Sequence, residues 1–295
     1  MTNPTVHPHE ARPVLEAGCT LGEGPVWDAR RGELLFVDIK DPAVWRLDPV
    51  SGRHERRAMP ERIGFVALTE DEDVVVAGFK SGLKRLRLST GATETLLAPE
   101  PDRSGNRIND GHVGPDGSLY FGTMDDGESE PTGAFYRYDG RDLVPFQEGI
   151  VVTNGPVVSA DGQYLYATDT KAGTIFRHPL TDGRVGERER FAHLTSDVGH
   201  PDGMAVDAED HLWVCHWGGG RITRFAPDGS VERIVPIPAA QVTKCAFGGP
   251  DLATLYVTTA AIGRDRAEDP GAGHVFAVET GGIRGLPANH FGGAR

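Results

Sequence analysis

Residues 32–39 read GELLFVDI, a short run of leucine, β-branched and aromatic residues that begins at a glycine. Runs of the same kind recur five more times: DVVVAGF at 73–79, GSLYFGTM at 117–124, QYLYATDT at 163–170, DHLWVCHW at 210–217 and ATLYVTTA at 253–260. β-Branched and aromatic residues favour strands, since they pack well on a pleated surface. No stretch between the runs shows a 3.6-residue apolar period, which disfavours a parallel sheet with crossover helices. The repeat therefore predicts an all-β fold.

Each run lies among other predicted strands. A short strand precedes it, and a second of similar shape follows it, such as AVWRLDP at 43–49. A more polar strand comes last in most repeats, such as SVERIVPI at 230–237. The preceding strands recur at intervals of about 40 to 48 residues, close to the length of a four-stranded propeller blade. We therefore predict a six-bladed β-propeller with four-stranded blades.

The two ends of the chain predict how the ring of blades closes. The sixth repeat lacks a fourth strand, because the chain after Glu279 is rich in glycine. The segment ARPVLEA at 11–17 is a strand without a repeat of its own. We expect this N-terminal strand to complete the last blade, which would protect a sheet edge. The prediction is one propeller domain over residues 11–280, with terminal tails at 1–10 and 281–295.

Charge and cysteine content restrict the partners and the compartment. The 295 residues carry a formal net charge of −13, which argues against a nucleic acid or an anionic membrane as partner. The three cysteines are widely spaced and form no CxxC motif, so we expect no disulfide framework and a reducing compartment. The N-terminus shows no apolar signal region. These features predict a cytoplasmic protein, monomeric or a small homo-oligomer.

The first residues of the six preceding strands form a candidate ring of ligands. Equivalent positions of the innermost strands face one another across the axis of a propeller. The positions are Glu23, Ile63, Asp110, Asn154, Asp202 and Lys244. Any one Asp-Gly or Asn-Gly here could be turn chemistry alone. Buried carboxylates repel one another, however, so the ring indicates either protonation or a bound cation. Oxygen ligands suit Ca²⁺, Mg²⁺, Mn²⁺ or Fe²⁺ better than a structural zinc.

Five stretches have a more specific pattern than strand repeats require. They are LGEGPVWD at 21–28, RINDGHVGPDGSLYFGTM at 107–124, TNGPVVSADGQYLYATDT at 153–170, HPDGMAVDAEDHLWV at 200–214 and FGGPDLATLYVTT at 247–259. Together they resemble the sugar-lactonase family of senescence marker protein, gluconolactonase and luciferin-regenerating enzyme. The resemblance covers nearly the whole chain. The family that it resembles includes enzymes that act on pentose lactones, such as xylonolactonases.

The resemblance implies a role for individual residues. It places the metal ligands at Glu23, Asn154 and Asp202, and makes Asp202 the general base as well. It places substrate contacts at Arg107, Asn109 and Asp126, with Asp110 in a nearby hydrogen-bond network. The implied cofactor is one divalent metal ion, with Ca, Fe, Mn, Mg and Zn all open. Three protein ligands would leave positions for water and substrate.

The implied reaction is metal-dependent hydrolysis of a sugar (aldono-) lactone to the aldonic acid, a step of carbohydrate metabolism. The metal would polarise the carbonyl while Asp202 assists water attack. No GxSxG motif is present, which disfavours a serine esterase. Two alternatives remain open: a non-catalytic propeller that binds calcium or a protein, and a lactonase or esterase with a non-sugar substrate. His200 also belongs to the family motif, although a lone histidine is more often structural.

Overall fold

Six antiparallel sheets surround one axis in the computed structural model and form a six-bladed β-propeller. The structure describes the backbone of Thr5–Val6 and residues 11–293. The innermost strand of each sheet contacts the innermost strands of the two neighbouring sheets, so these six strands line the axis. The predicted all-β architecture of six blades is confirmed.

The strands of the first three blades are given from the axis outward. Blade one contains Gly22–Asp28, Glu33–Asp38, Ala43–Leu47 and His54–Ala58. Blade two contains Ile63–Leu68, Val74–Phe79, Gly82–Arg87 and Thr93–Leu97. Blade three contains Asn106–Val113, Leu119–Asp125, Gly133–Tyr138 and Leu143–Ile150. Each blade is a meander in which consecutive strands pair, as the repeat length predicts.

The last three blades follow the same order with small additions. Blade four contains Thr153–Val158, Tyr164–Asp169, Thr174–Thr181 and Glu189–His193, and a short strand Arg184–Val185 extends its third strand into a hairpin. Blade five contains His200–Val206, Leu212–Trp217, Arg221–Phe225 and Val231–Pro236, with Thr5–Val6 parallel to its outer edge. Blade six contains Val242–Gly248, Thr254–Thr259, Val275–Glu279 and Arg12–Leu15. The helix content of the described residues is one 3-10 turn, Ser196–Val198, and no helix there could span a membrane.

The N-terminal strand closes the ring as predicted. Arg12–Leu15 pairs antiparallel with Val275–Glu279, so the outer strand of blade six comes from the opposite end of the chain. Arg12 lies opposite Ala277, and Pro13 lies opposite Phe276. Proline lacks a backbone N–H, and an edge strand is where a sheet tolerates it. The two ends of the ring are therefore joined by backbone hydrogen bonds.

The hydrophobic core lies between neighbouring blades. Blades one and six, for example, share a buried cluster in which Trp27 stacks on Tyr256 with ring centroids 5.5 Å apart. Phe36 stacks on Trp45 in the same cluster at 5.6 Å. Stacked aromatic pairs of this kind bury large apolar areas. Because each blade buries both faces against its neighbours, the strands near the axis show long apolar runs instead of strict alternation.

Residues 281–293, in the segment predicted to be a tail, pack along the propeller. Ile283 is buried, and Phe291 stacks on Tyr138 with centroids 5.7 Å apart. The Phe291 N–H donates to the Leu68 carbonyl at 2.8 Å, and Asn289 Nδ2 donates to the Val113 carbonyl at 3.0 Å. Residues 286–289 also line an apolar cavity of about 140 Å³ along the axis. This segment therefore covers the axial channel at the end where the innermost strands finish. The predicted tail at 1–10 lies outside the described residues except for Thr5–Val6.

Candidate active site

A β-bulge interrupts the innermost strand of every blade at or beside its first residues. The register shifts fall between Glu23/Val26, Ile63/Val66, Ile108/Gly111, Asn154/Val157, Pro201/Met204 and Val242/Lys244. A bulge releases residues from the ladder and redirects their side chains. Gly24 and Gly155 adopt φ angles of +54° and +69° in these bulges, which glycine accepts without strain. The residues aligned by the sequence repeat therefore point toward one another around the axis.

A cavity of about 210 Å³ lies inside this ring of bulges. Five of the six residues predicted to form the site line it: Glu23, Arg107, Asn109, Asn154 and Asp202. Leu21, Ile39, Met124, Val152 and Trp217 provide the apolar part of the wall. His200 also lines the cavity, together with Glu128, Thr170 and Lys171, three residues that the sequence did not single out. The remaining predicted residue, Asp126, is not among the lining residues.

Two buried carboxylates share the cavity without an ion-pair partner among the described residues. Glu23 and Asp202 are each 5% exposed. Burial, reinforced by the charge of Asp110, raises the pKa of Glu23 to about 8, against an ordinary 4.5. Burial raises the pKa of Asp202 well above its usual range, and the charges of Glu23 and Asp110 add to this effect. Both carboxylates are therefore in an environment that opposes their ionisation unless a cation is near.

Asn154 contributes an amide oxygen whose orientation is fixed on both sides. Its Nδ2 donates to Thr170 Oγ1 at 2.9 Å, and its Oδ1 faces the Nδ2 of Asn109. That Oδ1 accepts a hydrogen bond from Asn109 Nδ2 at 2.9 Å. An amide oxygen has two lone pairs, so one stays free for a further contact. Asn109 Nδ2 also donates to the Thr153 carbonyl at 2.6 Å, which holds the two asparagines in one arrangement.

Arg107 connects the cavity to a group of charged residues beside it. Its Nη1 donates to Asn109 Oδ1 at 2.5 Å. Its Nε lies 3.2 Å from Asp126 Oδ1, yet that N–H has no hydrogen-bond partner among the described residues. The guanidinium is 3% exposed, and burial lowers the pKa of Arg107 although Asp126 opposes this. Arg107 is therefore a buried cation that is paired with Asp126 and holds Asn109.

Four cations converge on the single carboxylate of Asp126. Arg107 approaches it from blade three, Lys40 from blade one, and Arg62 and Lys80 from blade two. We call these four side chains the cation cluster. Burial raises the pKa of Asp126, but hydrogen bonds from Arg62 and Lys80 and the charge of Arg107 bring it below the ordinary value. Asp126 is thus ionised and engaged by its neighbours.

The sequence contained one signal for the lysines around the site. Lys40 and Lys171 follow Glu23 and Asn154 at the same separation along the chain, just after the second strands of their blades. Lys171 Nζ lies 3.2 Å from Glu128 Oε2. Equivalent residues in a repeat reach the same end of the propeller, so this alignment could have indicated both lysines. Arg62, directly before the inner strand of blade two, shows no such signal.

Asp110 and Lys244 form a buried ion pair across the axis. Lys244 Nζ donates to Asp110 Oδ1 and lies 3.4 Å from the Gly111 carbonyl. Both residues are buried, and Asp110 Oδ2 has no hydrogen-bond partner among the described atoms. Burial raises the pKa of Asp110 even though Lys244 opposes the shift. Two of the six ring positions therefore neutralise each other, which leaves Glu23, Asn154 and Asp202 as the other polar positions.

The chemistry of these three residues fits a divalent cation. Within the described ranges, no group of three or more His, Cys, Asp or Glu is placed to hold a metal. The candidate ligands instead combine two carboxylates with one amide. All the donors are oxygen, as hard cations prefer. A divalent cation would also neutralise two buried carboxylates that have no ion-pair partner within the described ranges. The donor set and the unpaired carboxylates thus agree with a metal at this end of the axis.

Known proteins share this fold and sequence over almost the full chain. Residues 21–261 match the model of the SMP-30/gluconolactonase/LRE-like region. The L-arabinolactonase of Azospirillum brasilense is 35% identical, over 93% of this chain and 94% of its own. Regucalcin of Xenopus laevis is 32% identical, over 92% and 95% respectively. The crystal structure of a calcium-binding protein, regucalcin, from Agrobacterium tumefaciens superposes with a TM-score of 0.93 at 30% identity, covering 98% of this chain and 99% of that one. The resemblance predicted from the motifs is thereby confirmed: the chain belongs to the SMP-30/gluconolactonase/LRE-like family.

Proposed function

We propose that the protein is a metal-dependent lactonase that hydrolyses a sugar (aldono-) lactone to the aldonic acid. In this reaction water adds to the lactone carbonyl carbon, the ring C–O bond breaks, and a carboxylic acid and an alcohol result. The observation that carries the proposal is the pair of buried, unpaired carboxylates, Glu23 and Asp202, beside the oriented amide oxygen of Asn154. The L-arabinolactonase among the relatives supports the same reaction class.

Glu23, Asn154 and Asp202 would hold the divalent metal ion. When bound, the metal would supply Lewis-acid polarisation of the lactone carbonyl. Among the five metals that the sequence leaves open, calcium has the support of the calcium-binding structural relative. The oxygen-only donor set accommodates several divalent ions, so metal supply also contributes to the choice.

Asp202 is the residue we assign to proton transfer. It lines the cavity and is buried beside the other two proposed ligands. A carboxylate of this kind can accept the proton of an attacking water and return it to the leaving alkoxide. Asn154 has no titratable group, and the resemblance to the family motif assigns the base role to Asp202 and not to Glu23.

Arg107 and Asn109 would bind and orient the sugar ring. Both line the cavity, and Arg107 is held by Asn109 and by the charge of Asp126. Hydrogen bonds from a fixed guanidinium and amide would restrict the ring hydroxyls to one orientation, which lowers the entropic barrier to attack. We propose that Asp126 contributes to substrate binding by holding Arg107 in place. The apolar wall would pack against the carbon face of the ring.

The test is a panel of sugar lactones assayed by acid release. Protein stripped with a chelator is supplied with Ca²⁺, Mg²⁺, Mn²⁺, Fe²⁺ or Zn²⁺ in turn, and pentono- and hexonolactones of both ring sizes are compared. We expect turnover of at least one lactone that depends on added metal. The absence of hydrolysis with every lactone and every metal would overturn the proposal.

Asp202→Asn tests the assigned base. This substitution keeps the shape of the side chain but removes its charge and basicity. We expect it to abolish turnover and to weaken metal binding, measured by calorimetry. Asp161→Asn, in an exposed turn of blade four, is the matched control and should behave like the wild type. Near-normal turnover by purified Asp202→Asn with metal bound would refute the assigned role.

A further inference from the structure

The cation cluster has more positive charge than its one carboxylate requires. Lys40, Arg62, Lys80 and Arg107 all lie within ion-pair distance of Asp126, so four cations face one anion. Lys80 Nζ lies 3.0 Å from Asp126 Oδ2, and Lys40 Nζ lies 3.9 Å from Oδ1. One carboxylate has room for a few strong hydrogen bonds but cannot neutralise four charges. Glu128 also acts on Lys40 and Arg107, but it is paired with Lys171, so the cations at this point still outnumber the anions.

This excess is unusual in a chain with a net charge of −13. Like charges in a partly buried place repel one another, which destabilises the fold unless a ligand compensates. Lys40 illustrates this repulsion. Burial lowers the pKa of its ammonium, and the charges of Arg107 and Arg62 lower it further. Structural stability alone would be better satisfied by fewer cations around Asp126. The arrangement therefore indicates a function that uses positive charge.

The cluster adjoins the catalytic cavity through Arg107. Arg107 lines that cavity and also an adjoining one of about 340 Å³, whose wall includes Lys80. Ile39, next to Lys40 in the chain, lines the catalytic cavity as well. Arg62 and Lys80 have side chains 34% and 38% exposed, so solvent and ligands reach them. A substrate held at Glu23 and Asp202 could extend past Arg107 toward these two residues.

We propose that the cation cluster binds an anionic group on the substrate, at the end away from the lactone carbonyl. The substrate class is then a lactone that carries a carboxylate, as in the lactone of a sugar diacid, or a sulfonate or phosphate. Lys80 and Arg62 would bind that group directly, because their side chains are partly exposed, while the buried Arg107 adds positive charge beside it. The inference rests on the proposed lactonase function and specifies its substrate.

The experiment compares lactones that differ in one group. An aldonolactone with a terminal alcohol is paired with the aldarolactone that has a carboxylate at the same carbon, and with the 6-sulfo and 6-phospho analogues. On metal-loaded wild-type protein we expect kcat/KM for at least one anionic lactone to exceed that for the neutral one by about tenfold or more, the effect of a charge-assisted hydrogen bond. The analogue with the highest kcat/KM shows whether the site prefers a carboxylate, a sulfonate or a phosphate.

Variants link that preference to the cluster. Lys80→Gln and Arg62→Gln should each reduce the ratio of anionic to neutral kcat/KM about tenfold through KM, whereas Lys80→Arg, which keeps the charge, should retain most of it. The control is Arg85→Gln in blade two, whose side chain is 50% exposed and pairs with Glu94. Thermal unfolding of each variant checks that the fold is intact.

Two outcomes separate the failure of this inference from that of the lactonase function. Equal or better hydrolysis of the neutral lactone, with the ratio unchanged in Lys80→Gln, overturns the anion site and leaves the lactonase standing. If no lactone is hydrolysed, calorimetry compares the affinity of the protein for the free aldarate with its affinity for the free aldonate. Stronger binding of the dianion that is lost in Lys80→Gln then supports the anion site without the lactonase, and equal binding overturns both.

Discussion

Asn109 donates a hydrogen bond from Nδ2 to Asn154 Oδ1 across 2.9 Å, which joins a predicted substrate contact directly to a predicted metal ligand. The same Asn109 accepts from Arg107 through its Oδ1 at 2.5 Å. Both polar atoms of one amide are therefore used, one toward each half of the site. We therefore expect substrate binding and metal binding to be linked through this residue.

We predict that Asn109→Ala weakens both functions. The change removes the hydrogen bonds to Asn154 and Arg107, each contributing about 1 kcal/mol when neutral and more when charged. We expect KM to rise about tenfold and the metal dissociation constant to increase several-fold, measured by initial rates and by calorimetry. Asn106→Ala is a close control, because Asn106 lies in the same strand, has the same 7% exposure and bonds to Glu100 and Thr132 instead. Equal metal affinity in both variants would contradict the link.

Metal binding should release protons near neutral pH. In the metal-free protein the pKa of Glu23 is about 8, raised by burial and by Asp110, so the group is mostly protonated at pH 7. A metal that takes the carboxylate as ligand must displace that proton. We expect metal affinity to fall as pH is lowered below 8. Calorimetry in buffers of different ionisation enthalpy measures the released proton directly, and an identical heat in all buffers would disprove it.

The same shift predicts the pH dependence of stability without metal. The folded state holds a proton on Glu23 up to its pKa of about 8, whereas the unfolded chain loses it near the ordinary carboxyl pKa of 4.5. Since the folded state binds more protons in this window, the contribution of Glu23 to stability is largest at low pH and declines as pH rises from 4.5 through 8. Urea unfolding of Glu23→Gln in chelator should show a flatter profile than the wild type. Parallel profiles would be evidence against the raised pKa.

Removing Lys244 should destabilise the fold by leaving a buried charge. Lys244→Met deprives Asp110 of its cation, and breaking one half of a buried ion pair typically costs about 3–5 kcal/mol. The double variant Lys244→Met/Asp110→Asn should recover part of that loss, because no charge then stays uncompensated. Urea unfolding in chelator measures both, with metal excluded as a variable. A double variant less stable than Lys244→Met would show that the pair acts in another way.

The C-terminal segment should stabilise the propeller. Phe291 stacks on Tyr138, and its backbone bonds to Leu68. Because Phe291 is only half-buried, we expect Phe291→Ala to lower the unfolding free energy by about 1–3 kcal/mol, less than a full core truncation. Val144→Ala, at a side chain 50% exposed, is the apolar control. An unchanged urea midpoint for Phe291→Ala would mean that the segment is not held by this contact.

The blade repeat could be predicted because it is local. The alternation of β-branched and aromatic residues with glycine turns identifies strands within a few residues, and the spacing of those strands counts the blades. Arg12–Leu15 could be assigned to blade six for the same reason, since one repeat lacked a strand and one strand lacked a repeat. The packing of residues 281–293 escaped prediction, because Ile283 and Phe291 stand among glycines without any period.

The sequence by itself determined the six blades, the closure of the ring and the residues aligned at its centre. Only the tertiary structure decided which of these central residues form an ion pair with each other. It pairs Asp110 with Lys244 and leaves Glu23 and Asp202 without an ion-pair partner in the part of the chain that it describes. It also brings Lys40, Lys80 and Arg107 from three consecutive blades onto Asp126. The physical reason is that ion pairing and burial depend on contacts between distant parts of the chain, whereas a strand repeat depends on neighbours in sequence.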